Sequence, residues 1–231
     1  MLVLGFNQIG SSKNRGQSRI PQADFGSDPI KIKKMSRKKP GTVRIIGGSL
    51  RGRRLPVPDL AGLRPSGDRG REALFNWLAP RIRGARCADL FAGTGVLGIE
   101  AASRGAQSVV LVEKSAQAAR AIRQNLDTLK TSETSLAVEL VRGDALGWLE
   151  SCASKSLDIV FVDPPFDSGL EVRALSALVD GDCLAEGGLV YLETARQAKD
   201  FEPGPAWDVV KDKTLGEVRM RLLKKLKIIC K

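Results

Sequence analysis

Short apolar runs alternate with longer amphipathic ones along most of this chain, and that alternation predicts its fold. Runs at Arg86–Leu90, Ser108–Val112, Ala137–Val141, Leu157–Val162 and Gly188–Glu193 read as strands. The intervening stretches Val96–Arg104, Ala116–Leu129, Ala145–Ser151 and Leu170–Asp180 read as helices. Strand–helix alternation at this spacing implies a parallel, doubly wound sheet that takes its ligand at the carboxyl ends of the strands. Trp207–Lys213 and Val218–Leu223, joined around Leu215-Gly216, form a closing antiparallel pair. The expectation is therefore a seven-stranded, Rossmann-like α/β sheet, mostly parallel. Ahead of it, Val43–Ile46 and Arg53–Val57 predict a hairpin across Gly47-Gly48. Gly67–Ala79 predicts an amphipathic helix with Leu74, Phe75 and Leu78 on its buried side. There is no internal repeat and no heptad pattern. Three segments follow: residues 1–42, basic and unstructured; residues 43–80, a hairpin and helix; residues 81–231, the sheet domain.

Composition sharpens this picture. A chain of 231 residues, 42% hydrophobic, can bury one sizeable α/β core. Its net charge of +11 is unevenly placed. From Lys31 to Arg54 there are ten Lys or Arg and no Asp or Glu, so the remainder is close to neutral. A cationic arm beside a neutral body suits a polyanionic substrate, although a basic tail can serve solubility alone. Residues 1–34 are rich in Gly, Ser, Gln and Asn, and Met35 opens a basic run. The expectation is that translation starts at Met35, leaving 197 residues (231 − 34).

The residue types that are missing exclude much chemistry. The chain has no histidine, which removes His general bases, Ser-His and Cys-His pairs and most catalytic zinc sites. Cys87, Cys152, Cys183 and Cys230 are widely spaced, with no C-x-x-C. That argues against a metal site or a disulfide framework and suits a reducing, cytoplasmic compartment. No apolar run approaches the length of a membrane span. Carboxylates and backbone dipoles must carry the chemistry.

Gly93-Thr94-Gly95-Val96-Leu97-Gly98 is a G-x-G-x-x-G between a predicted strand and helix, and Glu113 lies 20 residues beyond Gly93. By pattern alone this is a dinucleotide fingerprint, with Glu113 placed to accept from ribose hydroxyls. Asp89 changes the reading. A carboxylate at the mouth of the loop repels a pyrophosphate but favours a ligand bearing an ammonium and a sulfonium. S-adenosylmethionine is such a ligand. Asp144 falls on the same predicted sheet edge, although a Gly-Asp pair also commonly caps a helix.

Asp163-Pro164-Pro165-Phe166 ends the apolar run Leu157–Val162. An exocyclic base amine is a poor nucleophile because its lone pair is delocalised into the ring. A carboxylate and a carbonyl that each accept one of its N–H groups draw the nitrogen toward a reactive geometry. Two prolines stiffen the turn that aims those acceptors, and an aromatic ring can stack on a flipped-out base. No cysteine nucleophile for carbon-5 pyrimidine methylation lies near. DNA adenine-N6 or cytosine-N4 methylation and a non-catalytic RNA-binding role on the same fold are the competing readings; the chain lacks a separate target-recognition domain.

These motifs resemble those of class I amino-methyltransferases. More specifically, Arg44-Ile45-Ile46-Gly47-Gly48, Arg51-Gly52-Arg53, Leu63-Arg64-Pro65, Asp68-Arg69 and Arg71–Leu78 are similar to the RsmD-type bacterial rRNA guanine-N2 methyltransferases. Ser66-Gly67 departs from the two threonines usual there. The resemblance runs from about Arg44 to Leu223. It implies methyl transfer from S-adenosylmethionine to N2 of one guanine in the helix 31 loop of small-subunit rRNA (guanine 966 in the family), by a monomer that needs no metal and acts on the rRNA or the assembling 30S subunit. It implies that Asp163, Pro164, Pro165 and Phe166 are catalytic. Asp89, Phe91, Gly93, Thr94, Gly95, Glu113, Lys114, Asp144 and Ala145 would hold the cofactor. Arg51, Arg53, Arg54, Arg64, Asp68, Arg71 and Asn76 would meet the RNA. Read from spacing alone, Asp68/Glu72 and Glu72/Asn76 are i,i+4 pairs that can equally stabilise a helix surface.

Overall fold

A computed structural model describes residues 41–58, 67–129, 136–166, 168–198 and 201–226. The basic arm before Gly41, the expected start at Met35, and Leu63, Arg64, Pro65 and Ser66 lie outside the described residues.

The chain first makes an antiparallel hairpin, β1 (Gly41–Arg44) and β2 (Arg54–Val57), then helix α1 (Asp68–Leu78). Strands β3 (Arg86–Asp89), β4 (Ser108–Glu113), β5 (Val138–Arg142), β6 (Leu157–Val162) and β7 (Leu184–Ala195) follow. They alternate with α2 (Val96–Ser103), α3 (Ala116–Leu129), α4 (Ala145–Glu150) and α5 (Leu170–Asp180). Strands β8 (Trp207–Leu215) and β9 (Val218–Lys225) close the sheet, whose order is β5-β4-β3-β6-β7-β9-β8. Strands β5 to β7 in that order are parallel, and β9 runs antiparallel to both β7 and β8. The chain winds outward from β3 to β5 and restarts at β6 on the other side of β3. The β3/β6 boundary is therefore the switch point where such sheets bind ligands.

Burial explains the elements. In α3, Ala118, Ala119, Ile122, Asn125, Leu126 and Leu129 are buried, a stripe at three- and four-residue spacing. Strand β6 is almost wholly buried because helices cover both its faces. One core joins the hairpin, α1, α2 and α3 to one face of the sheet; the other joins α4 and α5 to the opposite face. Leu74, Phe75 and Leu78 of α1 are buried as expected, and Arg71 is buried with them.

Strand β7 begins four residues earlier than the apolar pattern suggests. The sequence pattern starts the strand at Gly188, yet the strand reaches back to Leu184 through an irregularity in its pairing with β6. The hairpin loop docks on α2: a Cβ on Gly48 would sit 1.9 Å from the Ser103 carbonyl oxygen, so only glycine fits there. Ser49 N donates to that carbonyl at 2.8 Å, and Ser103 Oγ donates to Gly47 O at 2.6 Å. Among the described residues, Cys87, Cys152 and Cys183 are free thiols, and no helix is long and apolar enough to cross a membrane.

Candidate active site

Four acids stand at the carboxyl ends of four neighbouring parallel strands. Asp89 ends β3, Glu113 ends β4, Asp144 follows β5 and Asp163 follows β6. Parallel winding puts all four on one sheet edge, and Asp89 and Asp163 flank the switch point.

Asp89 is 1% exposed. Its Oδ2 accepts from Gly98 N at 3.2 Å, while its buried Oδ1 has no partner in hydrogen-bonding geometry. Burial pushes this carboxyl up to about 7; the Gly98 and Phe91 amides oppose that rise and the nearby Glu113 carboxylate adds to it. Glu113 pins the loop: Oε2 accepts from Gly93 N at 2.7 Å and Oε1 from Ser115 N at 2.6 Å. Gly93 and Gly95 hold φ of 54° and 75°, and a Cβ on Gly98 would lie 2.1 Å from Leu111 Cδ2. Backbone shape, rather than side chains, makes this loop. Thr94 is buried, its Oγ1 accepting from Val96 N at 3.4 Å, and Phe91 is half-buried beside it.

Asp144 caps α4, Oδ2 accepting from Leu146 N and Gly147 N at 3.2 and 3.3 Å, with Lys114 Nζ 3.4 Å from Oδ1. The Gly147 amide, helped by Lys114, holds this carboxyl below its usual range. Ala145 is buried as the first residue of that helix. After β6, Asp163 is half-buried, Pro164 buried, Pro165 exposed, and the Phe166 ring is 47% exposed at the sheet edge. The Asp163 charge acts on Tyr191 of β7, whose hydroxyl burial pushes well above the ordinary value.

The residues expected to meet RNA do not all lie together. Arg51, Arg53 and Arg54 are exposed on the hairpin. Asp68 and Asn76 are exposed on α1, separated by eight residues, about 12 Å of helix. Asp68 pairs with Arg71, three residues on, rather than with Glu72. Arg71, by contrast, is fully buried, donating to Asp68 Oδ1 at 2.6 Å and Arg44 O at 2.9 Å, with Glu100 Oε2 at 3.5 Å. These contacts clamp α1 to the hairpin and α2.

Glu100 is the centre of that clamp and was missed from sequence. Fully buried, it accepts from Ile46 N at 2.9 Å, Gly47 N at 2.7 Å and Arg104 Nε at 3.0 Å. A single acid within the apolar helix Val96-Leu97-Gly98-Ile99-Glu100-Ala101-Ala102 was the available signal. Tyr191 and Glu193 were also missed; their signal was two polar-tipped residues at alternate positions of an apolar strand. Among the described residues, no group of three or more Cys, Asp or Glu could hold a metal ion.

Known proteins resemble this chain in sequence and fold. Residues 43–224 match the family model described as Conserved hypothetical protein 95. The ribosomal RNA small subunit methyltransferase D of Escherichia coli K12 is 42% identical over 192 residues, 83% of this chain and 94% of that protein. Its namesake from Haemophilus influenzae is 43% identical over 183 residues, 79% of this chain and 93% of that one. A solved structure of the candidate methyltransferase yhhF from Escherichia coli superposes with a TM-score of 0.71 at 40% identity, covering 80% of this chain and 98% of that one. The chain belongs to the family of the ribosomal RNA small subunit methyltransferase D proteins.

Proposed function

We propose that this protein transfers a methyl group from S-adenosylmethionine to the exocyclic N2 amine of one guanine in small-subunit rRNA. The observation that carries the reading is the acidic rim at the switch point, with Asp163-Pro164-Pro165-Phe166 closing its β6 side. The orphaned Oδ1 of Asp89 supports the cofactor: a buried acceptor without a partner is costly, and a cationic ligand relieves it where a pyrophosphate would not. Asp89, the Gly93–Gly95 loop and Glu113 would hold the cofactor, with Phe91, Lys114, Asp144 and Ala145 on the β4/β5 side.

When bound, S-adenosylmethionine supplies a methyl group activated on a sulfonium. The protein's own work is positioning. Asp163 and the Pro164 carbonyl accept the two N–H groups of the guanine amine and free its lone pair. The exposed Phe166 ring stacks on the flipped base. Asp163 then takes up the proton that the methylated nitrogen sheds, for which an ordinary carboxylate suffices. No covalent bond to the protein is needed. The exposed arginines of the hairpin meet phosphate, so activity should fall steeply with salt. The decisive experiment incubates the protein with labelled S-adenosylmethionine and small-subunit rRNA, free or in assembling subunits, and maps the product by mass spectrometry. N2-methylguanine at one position supports the proposal; no label in the rRNA, or label in adenine or cytosine when DNA is offered in its place, refutes it.

Two outcomes test the cofactor site. Glu113→Ala should weaken cofactor binding by about 1–3 kcal/mol, both by removing an acceptor and by releasing the Gly93 loop; isothermal titration calorimetry measures it. Cofactor affinity should also depend on pH. Burial favours the neutral form of Asp89 in the free protein up to about pH 7, so below that a proton must leave before a cation can pair with it. The dissociation constant should be about fivefold weaker at pH 6 than at pH 7. Asp89→Asn should flatten that dependence.

A further inference from the structure

Tyr191 and Glu193 lie two residues apart on β7, so their side chains share one sheet face. The Tyr191 hydroxyl donates to Glu193 Oε2 at 2.5 Å, with the two residues 1% and 7% exposed. The Tyr191 ring is held edge-on by Phe161, 6.4 Å between centroids, and Phe161 in turn by Phe75 at 6.0 Å. The carboxylate is thus held in one orientation. Its second oxygen, Oε1, carries no hydrogen bond among the described residues and is not sealed from solvent. Burial raises the proton affinity of the Glu193 carboxyl, and the Tyr191 hydrogen bond opposes that rise.

The parallel register Phe161↔Tyr191 and Val162↔Leu192 brings the next residues, Asp163 and Glu193, level at the carboxyl edge. Neighbouring strands run about 4.8 Å apart, and β7 continues through Glu193 to Ala195 beside the point where Asp163 follows β6. The Asp163 charge is felt by the Tyr191 hydroxyl.

We propose that Glu193 is the specificity-determining residue of this site: Oε1 accepts the ring N1–H of the target guanine, next to the amine held by Asp163 and the Pro164 carbonyl. The assignment rests on the guanine-N2 reading above. Guanine presents two adjacent donors, N1–H and the N2 amine, and two adjacent carboxylates complement them. Adenine N1 and cytosine N3 are acceptors beside their amines. Either would meet Oε1 lone pair to lone pair and leave a buried carboxylate unpaired. The Asp163-Pro164-Pro165-Phe166 turn by itself would serve any exocyclic base amine; the neighbouring strand restricts it to guanine. Tyr191 is a positioning residue, acting only through Glu193.

The test uses small-subunit rRNA carrying guanine or 2-aminopurine at the methylated position, free or in reconstituted subunits. 2-Aminopurine keeps the N2 amine but has an acceptor at N1. Wild-type protein should prefer guanine by roughly 100-fold in kcat/KM. Glu193→Gln, whose amide can donate as well as accept, should lower that preference to under about tenfold while cofactor affinity stays within about twofold. Tyr191→Phe leaves the carboxylate, so the preference should persist while the rate on guanine falls about tenfold. The assignment is overturned if Glu193→Gln keeps the wild-type preference. It is equally overturned if wild-type protein methylates 2-aminopurine as fast as guanine, a result that needs no variant to fold. Inactivity of wild-type protein on guanine would instead overturn the guanine-N2 reading along with it.

Discussion

Asp163→Ala abolishes methyl transfer and leaves cofactor binding nearly unchanged. The expected loss in kcat is at least about 10³-fold, because the variant removes both an acceptor that activates the amine and the group that takes its proton. Cofactor affinity should move by less than about twofold, since Asp89, the Gly93–Gly95 loop and Glu113 stand on β3 and β4 rather than β6. Single-turnover methylation and calorimetry on the same preparation separate the two quantities. Asp163→Asn keeps one acceptor oxygen and should retain more activity than Asp163→Ala. If activity and cofactor affinity fall together, Asp163 supports the fold and the assignment is wrong.

Glu100→Ala has the largest expected effect on stability. Its carboxylate satisfies the amides of Ile46 and Gly47 and pairs with Arg104 and the fully buried Arg71. Removing it takes the acceptor from two half-buried amides and one of the carboxylates beside the buried Arg71 guanidinium, at a cost of about 3 kcal/mol. For a chain of this size that lowers Tm by roughly 10 °C. Thermal unfolding measures it. The double variant Arg71→Met, Glu100→Leu should lose less than the two single truncations summed, because neither partner is then left charged and buried. Strict additivity would show that Arg71 and Glu100 do not depend on each other. The clamp also bears on the proposed function, since α2 begins at the Gly93–Gly95 loop and its Glu100 and Ser103 fasten the arginine-bearing hairpin.

The winding of the sheet was legible because each buried strand demands an apolar run and each covering helix an apolar stripe. Leu157–Val162 and Ala116–Leu129 appear with the boundaries that their patterns predict. The edge position of Asp89, Glu113, Asp144 and Asp163 followed from that winding alone, since every parallel strand delivers its last residue to the same side. Strand β7 was less legible, because Glu186-Gly187 interrupts the apolar pattern and only pairing with β6 carries the strand back to Leu184.

Side-chain roles were harder to read than positions. Arg71 reads in sequence as a residue on the approach of cofactor and RNA, because an arginine is ordinarily solvated; nothing local reveals the buried Glu100 beside it, 29 residues away. Glu193 looks like the polar end of a strand until the structure buries it against the Tyr191 hydroxyl. The amino-acid sequence alone determined the strand–helix order, the sheet edge that carries the acids and the stiff Asp163-Pro164-Pro165-Phe166 turn, all of which depend on local periodicity and backbone restriction. Only the tertiary structure decided that Arg71 and Glu100 form an interior clamp and that Tyr191 aims Glu193, because burial and charge pairing are set by residues distant in sequence.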